Sequence, residues 1–262
     1  MTESTNQFDP NALKLVRLTN DNDAILQMFE FGLKMQMTQI EAEAGGDDFP
    51  SEEFIKRIRQ YINMDSLFYQ MTPIYSRYFT REEIAGLIAF FETSLGRKFV
   101  KNTSQIAQES FAANQAWLES FAEKMERDSD STLVEGARGS SDLNKLFDFM
   151  GVDFSLMASA MVEGLIENAK KQMPDIPASV LGKARLNLNK ETENLRGRYM
   201  DIYKRHYAQE EIAGLIRFFE SPPGNKYAKC GPQISQECQS ITHAYFESLT
   251  HGVLEEMFGE GS

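Results

Sequence analysis

The sequence predicts an all-α protein made of two similar multi-helix domains in tandem. Two observations predict it. Apolar residues recur at helical spacing along the chain, with no convincing strand alternation. A 36-residue stretch also occurs twice: Tyr75–Ser110, moved by 128 residues, falls on Tyr203–Cys238 without a gap, and 19 of the 36 positions are identical. Glu82-Glu83-Ile84-Ala85-Gly86-Leu87-Ile88 returns as Glu210-Glu211-Ile212-Ala213-Gly214-Leu215-Ile216, and Phe90-Phe91-Glu92 as Phe218-Phe219-Glu220. Gly96, Lys98, Lys101, Gln105, Ile106, Gln108 and Glu109 return as Gly224, Lys226, Lys229, Gln233, Ile234, Gln236 and Glu237. More weakly, Leu13–Leu18 can be laid on Asn144–Phe149. Each repeat is a domain-sized block, not a short solenoid unit. The reading gives domains at 1–127 and 143–262, joined by a Ser-, Asp- and Gly-rich linker at 128–142.

The elements follow in order. Asp9-Pro10 is an N-cap with proline at the first helical position, opening a short helix to about Leu18. Asp21 or Asp23 caps a second helix to about Ala44, and Gly45–Pro50 is a loop. Ser51 is expected to cap a third helix, with Glu52 and Glu53 suiting its dipole, and Pro73 to bend or restart it. Thr80-Arg81-Glu82-Glu83 is a capping box. Ile84, Leu87, Ile88 and Phe91 then share one apolar face. The second copy has Ala208 in place of Thr80, which costs it a side-chain cap worth ~1 kcal/mol. The next helix starts near Thr93 in copy one, running to about Arg127, and near Ser221 in copy two. Cys230-Gly231-Pro232 is expected to kink or break that second helix, because an interior proline costs ~3 kcal/mol.

Composition excludes several functions. The formal net charge of −12 repels phosphate backbones, so no nucleic-acid partner is expected, and anionic membrane surfaces are disfavoured. No stretch approaches the ~18 apolar residues of a transmembrane helix. The three histidines, His206, His243 and His251, are not spaced as metal ligands, and no phosphate loop, nucleophile elbow or dinucleotide pattern occurs. No catalytic residue, metal or cofactor is expected. Asp21-Asn22-Asp23 resembles the start of a calcium loop but lacks its glycine and its final glutamate. The Glu82-Glu83 and Glu210-Glu211 pairs read as helix-start chemistry. Cys230 and Cys238 read as small buried residues, a bridge between them staying open.

One polar pattern stands out. Lys98, Lys101, Gln105 and Gln108 lie at i, i+3, i+7 and i+10 of one helix face, nearly opposite Phe99, Ile106, Ala113 and Trp117. The run recurs as Lys226, Lys229, Gln233 and Gln236. It is either a solvated face or a duplicated surface for a protein or small-molecule partner.

The segment Tyr78–Lys98, repeated as Tyr207–Lys226, resembles an uncharacterised bacterial family catalogued as domain of unknown function 2059. Copy one carries the Phe79-Thr80 cap and departs at Thr93-Ser94-Leu95-Gly96. Copy two carries the Ser221-Pro222-Pro223-Gly224 turn and departs at Ala208. The resemblance implies an all-helical fold and members commonly exported to the periplasm or envelope of Gram-negative bacteria; it implies no activity. Met1–Pro10 is polar and lacks the apolar stretch of a signal peptide. An envelope location therefore expects a signal already removed, and a cytoplasmic one is the alternative. The leading expectation is a non-catalytic binding or envelope-associated interaction protein. The alternatives are a metal-dependent or acidic-residue hydrolase and a structural protein that self-associates, for instance as a homodimer.

Overall fold

A computed structural model describes residues 9–44, 50–127, 141–172 and 188–258. They form eleven α-helices and no strand. The helices are α1 (Pro10–Thr19), α2 (Asn22–Ala44), α3 (Ser51–Tyr61), α4 (Met64–Tyr78), α5 (Arg81–Phe91), α6 (Ser94–Arg127), α7 (Ser141–Phe149), α8 (Phe154–Gln172), α9 (Leu188–His206), α10 (Gln209–Glu220) and α11 (Pro222–Phe258). Residues 45–49 of the expected first loop and 128–140 of the expected linker lie outside the described residues. The linker reading ran two residues too far, since Ser141 and Asp142 form the first turn of α7, where Asp142 suits the helix dipole.

The compact units do not follow the repeat boundaries. Unit 1 comprises 1–100 together with 230–262, and unit 2 comprises 101–229. The domains expected at 1–127 and 143–262 follow the sequence repeat. The units instead follow burial, and both long helices change unit part-way along.

In unit 1, Asp9 accepts a hydrogen bond from the Asn11 N–H at 2.9 Å and caps α1. Ala12, Leu15 and Val16 of α1 are fully buried, and α1 packs on α4 and α5. Unit 2 repeats this with Leu143, Leu146 and Phe147 of α7. Those residues lie 131 positions further on, the spacing at which Leu13–Leu18 matched Asn144–Phe149. The turn after α7 is a Schellman motif. Gly151 stands at φ 70°, its N–H donates to the Asp148 carbonyl and the Val152 N–H donates to Phe147. A second cluster of unit 1 joins Leu33 and Met37 of α2, Phe54 and Ile58 of α3, and Val253 of α11. Phe29 stacks on Phe246 there, with centroids 3.7 Å apart.

Asp21 caps α2, accepting from the Asp23 N–H at 2.9 Å. Ser51 does not cap α3: it is the first helical residue, and Pro50 occupies the cap position. Nor does Pro73 interrupt its helix. The break comes earlier, at Ile62-Asn63, where the Asn63 side chain accepts from the Ser66 N–H and starts α4. Pro73 lies exposed inside α4, whose buried Met71, Thr72, Ile74 and Tyr75 hold the helix through it. The break expected at Pro232 is also absent, and α11 runs continuously from Pro222 to Phe258. A proline forfeits one N–H bond, and the buried Ile234 and Cys238 next to it keep α11 seated on its unit. Cys230 and Cys238 are both free thiols.

The repeated motif builds the same joint twice. Thr80 and Glu83 close the capping box of α5, at 3.2 and 2.8 Å. At α10 only half remains: the Ala208 N–H donates to Glu211 at 2.8 Å, and alanine returns nothing. Ile84, Leu87, Ile88 and Phe91 are buried, as are Ile212, Leu215, Ile216 and Phe219. Thr93 then turns the chain into α6. Its hydroxyl donates to the Phe90 carbonyl at 2.7 Å and accepts from the Gly96 N–H at 2.9 Å. Ser221 does the same with Phe218 and Gly224, at 2.6 and 3.2 Å. The two glycines are obligatory. A Cβ on Gly96 would lie 2.2 Å from the Phe90 carbonyl oxygen, and one on Gly224 2.0 Å from that of Phe218.

Because the obstruction is backbone, Gly96→Ala and Gly224→Ala are each expected to cost about 3 kcal/mol. Thermal unfolding should show this as a Tm drop of roughly 6–12 °C. Gly32→Ala, on an open part of α2 with nothing within 4 Å, should hold or raise the Tm. Equal behaviour of all three variants would refute the steric assignment.

Candidate partner surfaces

The Lys–Gln run of the first repeat starts α6. Lys98 is half-buried in unit 1, whereas Lys101, Gln105 and Gln108 are exposed in unit 2. In the second repeat Lys226 is half-buried and Lys229 exposed, both in unit 2, and Gln233 and Gln236 are exposed in unit 1. The unit boundary thus falls inside each run. On the opposite side of α6, Phe99 and Ala113 are half-buried and Ile106 and Trp117 buried. Helical spacing therefore assigned the two sides correctly. The eight residues do not gather in a single unit.

The residue after each run is differently placed. Glu109 accepts from Arg205 at 2.6 Å and contacts the His206 imidazole at 2.8 Å, inside unit 2. Its equivalent, Glu237, accepts from Arg77 and from the Tyr78 hydroxyl, inside unit 1. Arg77 and Arg205 are themselves identical positions of the repeat. An acid and a base kept together in both copies was a readable signal of a shared contact. The Arg205 hydrogen bond, then that of His206, hold the Glu109 carboxyl below the ordinary carboxylate range, against a small opposing effect of burial.

Tyr75 shares a 2.9 Å hydrogen bond with Thr19, and burial pushes its phenol up to about 12. Burial likewise raises the Cys238 thiol to about 11, the opposite of an activated nucleophile. The Glu82-Glu83 and Glu210-Glu211 pairs sit in first helical turns, with Glu83 and Glu211 spent on backbone N–H groups. Among the described residues, no three His, Cys, Asp or Glu side chains are placed to hold a metal ion. No single helix among the described residues is long and apolar enough to cross a membrane.

The surface that sequence reasoning missed is on α2. Ala24, Met28, Phe31 and Met35 follow a 4-3-4 spacing, the seam spacing of a helix that packs on another helix. Met28, Phe31 and Met35 are 75%, 67% and 59% exposed. The other side of α2 is equally apolar and is the side buried in unit 1, through Phe29, Leu33 and Met37. Asp23, Gln27, Glu30 and Lys34 form a polar stripe along one edge of α2, so the exposed residues are a second apolar face beside the buried one. The signal was present in the sequence as apolar residues in two helical registers between Ala24 and Met37.

Comparison with known proteins gives one family. Residues 65–124 and 193–251 each match a family model described as "Uncharacterized protein conserved in bacteria (DUF2059)". No curated protein and no solved structure matched the chain.

The Glu109 contacts carry a pH signature. A carboxyl held below its unfolded pKa adds stability that is full above the unfolded value, near 4.5, and is lost as pH falls through the lower folded value. Glu109→Gln is therefore expected to lose stability at pH 7 and to narrow its gap to the parent protein at pH 3.5. Urea midpoints at the two pH values measure this, and a gap that stays constant with pH would contradict it.

Proposed function

We propose that this chain, which belongs to that uncharacterised bacterial family through two tandem copies of its domain, is a non-catalytic binding protein whose partner is an amphipathic helix laid along the outer face of α2. The observation that carries this reading is the exposed seam of Met28, Phe31 and Met35 on a helix already buried on its other side. Exposed apolar area of this kind costs about 25 cal/mol per Å² in water, and a second amphipathic helix removes that cost by the groove-filling mode common in peptide recognition. Methionine suits the task because its unbranched thioether chain adapts to different partner surfaces. Gln233 and Gln236, exposed in the same unit as α2 and retained in both repeats, are the candidates for polar contacts, while Lys101, Gln105, Gln108 and Lys229 belong to the other unit. A periplasmic or envelope location belongs to the same reading, on the strength of the resemblance. The hydrolase alternative is weaker, because Glu83 and Glu211, the best-placed acids of the repeated motif, are committed to helix starts. Self-association is the alternative occupant of the same face, the second helix then being α2 of another copy.

The test is a triple variant, Met28→Ser/Phe31→Ser/Met35→Ser, beside Lys101→Ala/Lys229→Ala. The triple variant should keep the parent Tm, bind several-fold less bis-ANS, and lose about 100-fold or more in partner affinity. Light scattering over a concentration series separates a second copy from a different protein. Partner capture that survives the triple variant and fails in the double one would move the site to the Lys–Gln face.

A further inference from the structure

Each compact unit is completed by a helix half from the other repeat. In unit 1, the α11 segment from Cys230 onward lies among residues 1–100; in unit 2, the α6 segment from Lys101 onward lies among elements of the second repeat. The contacts are reciprocal, position for position. Arg77 and Tyr78 bind Glu237, and 128 residues away Arg205 and His206 bind Glu109. The Tyr245 hydroxyl donates to the Asn63 carbonyl at 3.1 Å, and its equivalent, the Trp117 indole N–H, donates to the Glu191 carbonyl at 2.9 Å. Asn63 and Glu191 are also 128 residues apart. Apolar burial agrees. Phe246 and Val253 enter the core of unit 1, and Trp117 and Phe121 that of unit 2.

We infer that the two repeats are binding partners of one another, related as the two subunits of a helix-exchanged dimer are, and that the second half of each long helix is the recognition element by which one copy of this domain holds a second copy. Every contact named above is made between described residues of the two repeats themselves. A single repeat by itself presents two unfilled needs: a core without its closing helix, and a closing helix without its core. A second copy of the domain answers both at once.

The full chain tests this directly. A protease recognition sequence is inserted between Arg127 and Ser141, and the folded protein is cut there. The two fragments are expected to elute as one species of the uncut mass, to keep their helical circular dichroism, and to unfold at a midpoint that now rises with protein concentration. Elution as two separate folded fragments, or loss of helical structure on cutting, overturns the inference. A second arm uses the charge pair. Arg77→Glu in the cut protein should raise the concentration at which the fragments half-dissociate by about three- to tenfold. Adding Glu237→Arg should restore most of that loss. Dissociation indifferent to both changes would overturn the assigned contact.

Discussion

The length of two helices governs the rest of the structure. At 1.5 Å per residue, α6 with 34 residues rises about 51 Å and α11 with 37 about 56 Å. The other helices of the first repeat are shorter: α2 with 23 residues rises about 34 Å, α4 with 15 about 22 Å and α5 with 11 about 17 Å. Yet the apolar side of α6 continues to Ile106, Trp117 and Phe121, and that of α11 to Ile234, Phe246 and Val253. The indole of Trp117, the phenyl rings of Phe121 and Phe246 and the aliphatic chains of Ile106, Ile234 and Val253 are all buried away from water. In both units the later part of a long helix is grouped with elements of the other repeat.

What launches these helices is a joint made mostly of backbone. Phe90 and Phe91 end α5 against the first turn of α6 so closely that only hydrogen fits at Gly96, and Phe218 does the same at Gly224. The hydroxyls of Thr93 and Ser221 satisfy one carbonyl and one N–H on either side of the turn. Around this constant frame the copies have drifted by substituting one atom's job for another's. Tyr78 and His206 offer different groups to equivalent glutamates, and Trp117 and Tyr245 offer different donors to equivalent carbonyls. Thr80 completes a box that Ala208 leaves half made.

Much of this was legible in the chain. Repetition and helical spacing give the all-α class, two similar domains, the caps at Asp9, Asp21 and Thr80, and the buried side of α6. A restart at Pro73 and a break at Pro232 did not occur, because local cost was weighed without the tertiary burial that offsets it. Both prolines lie exposed on helices that bury Thr72 and Ile74 beside the first and Ile234 near the second. The unit boundaries were hidden for a different reason. A sequence repeat records which residues were copied, whereas a compact unit records which residues exclude water together. The outer face of α2 escaped because its buried and exposed apolar residues look alike in composition, and only burial separates Leu33 from Met35.

The division of units also sets an order in time. Unit 2 is one unbroken stretch, 101–229, so every element it needs has emerged before synthesis ends. Unit 1 combines residues from before and after that stretch. Between Val100 and Cys230 lies a loop whose closure would cost about 4 kcal/mol in a wholly unfolded chain. Phe54 and Ile58 are translated early, yet their cluster includes Val253. On the ribosome, the part made first is therefore the part finished last, and its apolar residues wait with incomplete cover until the final turns of α11 appear.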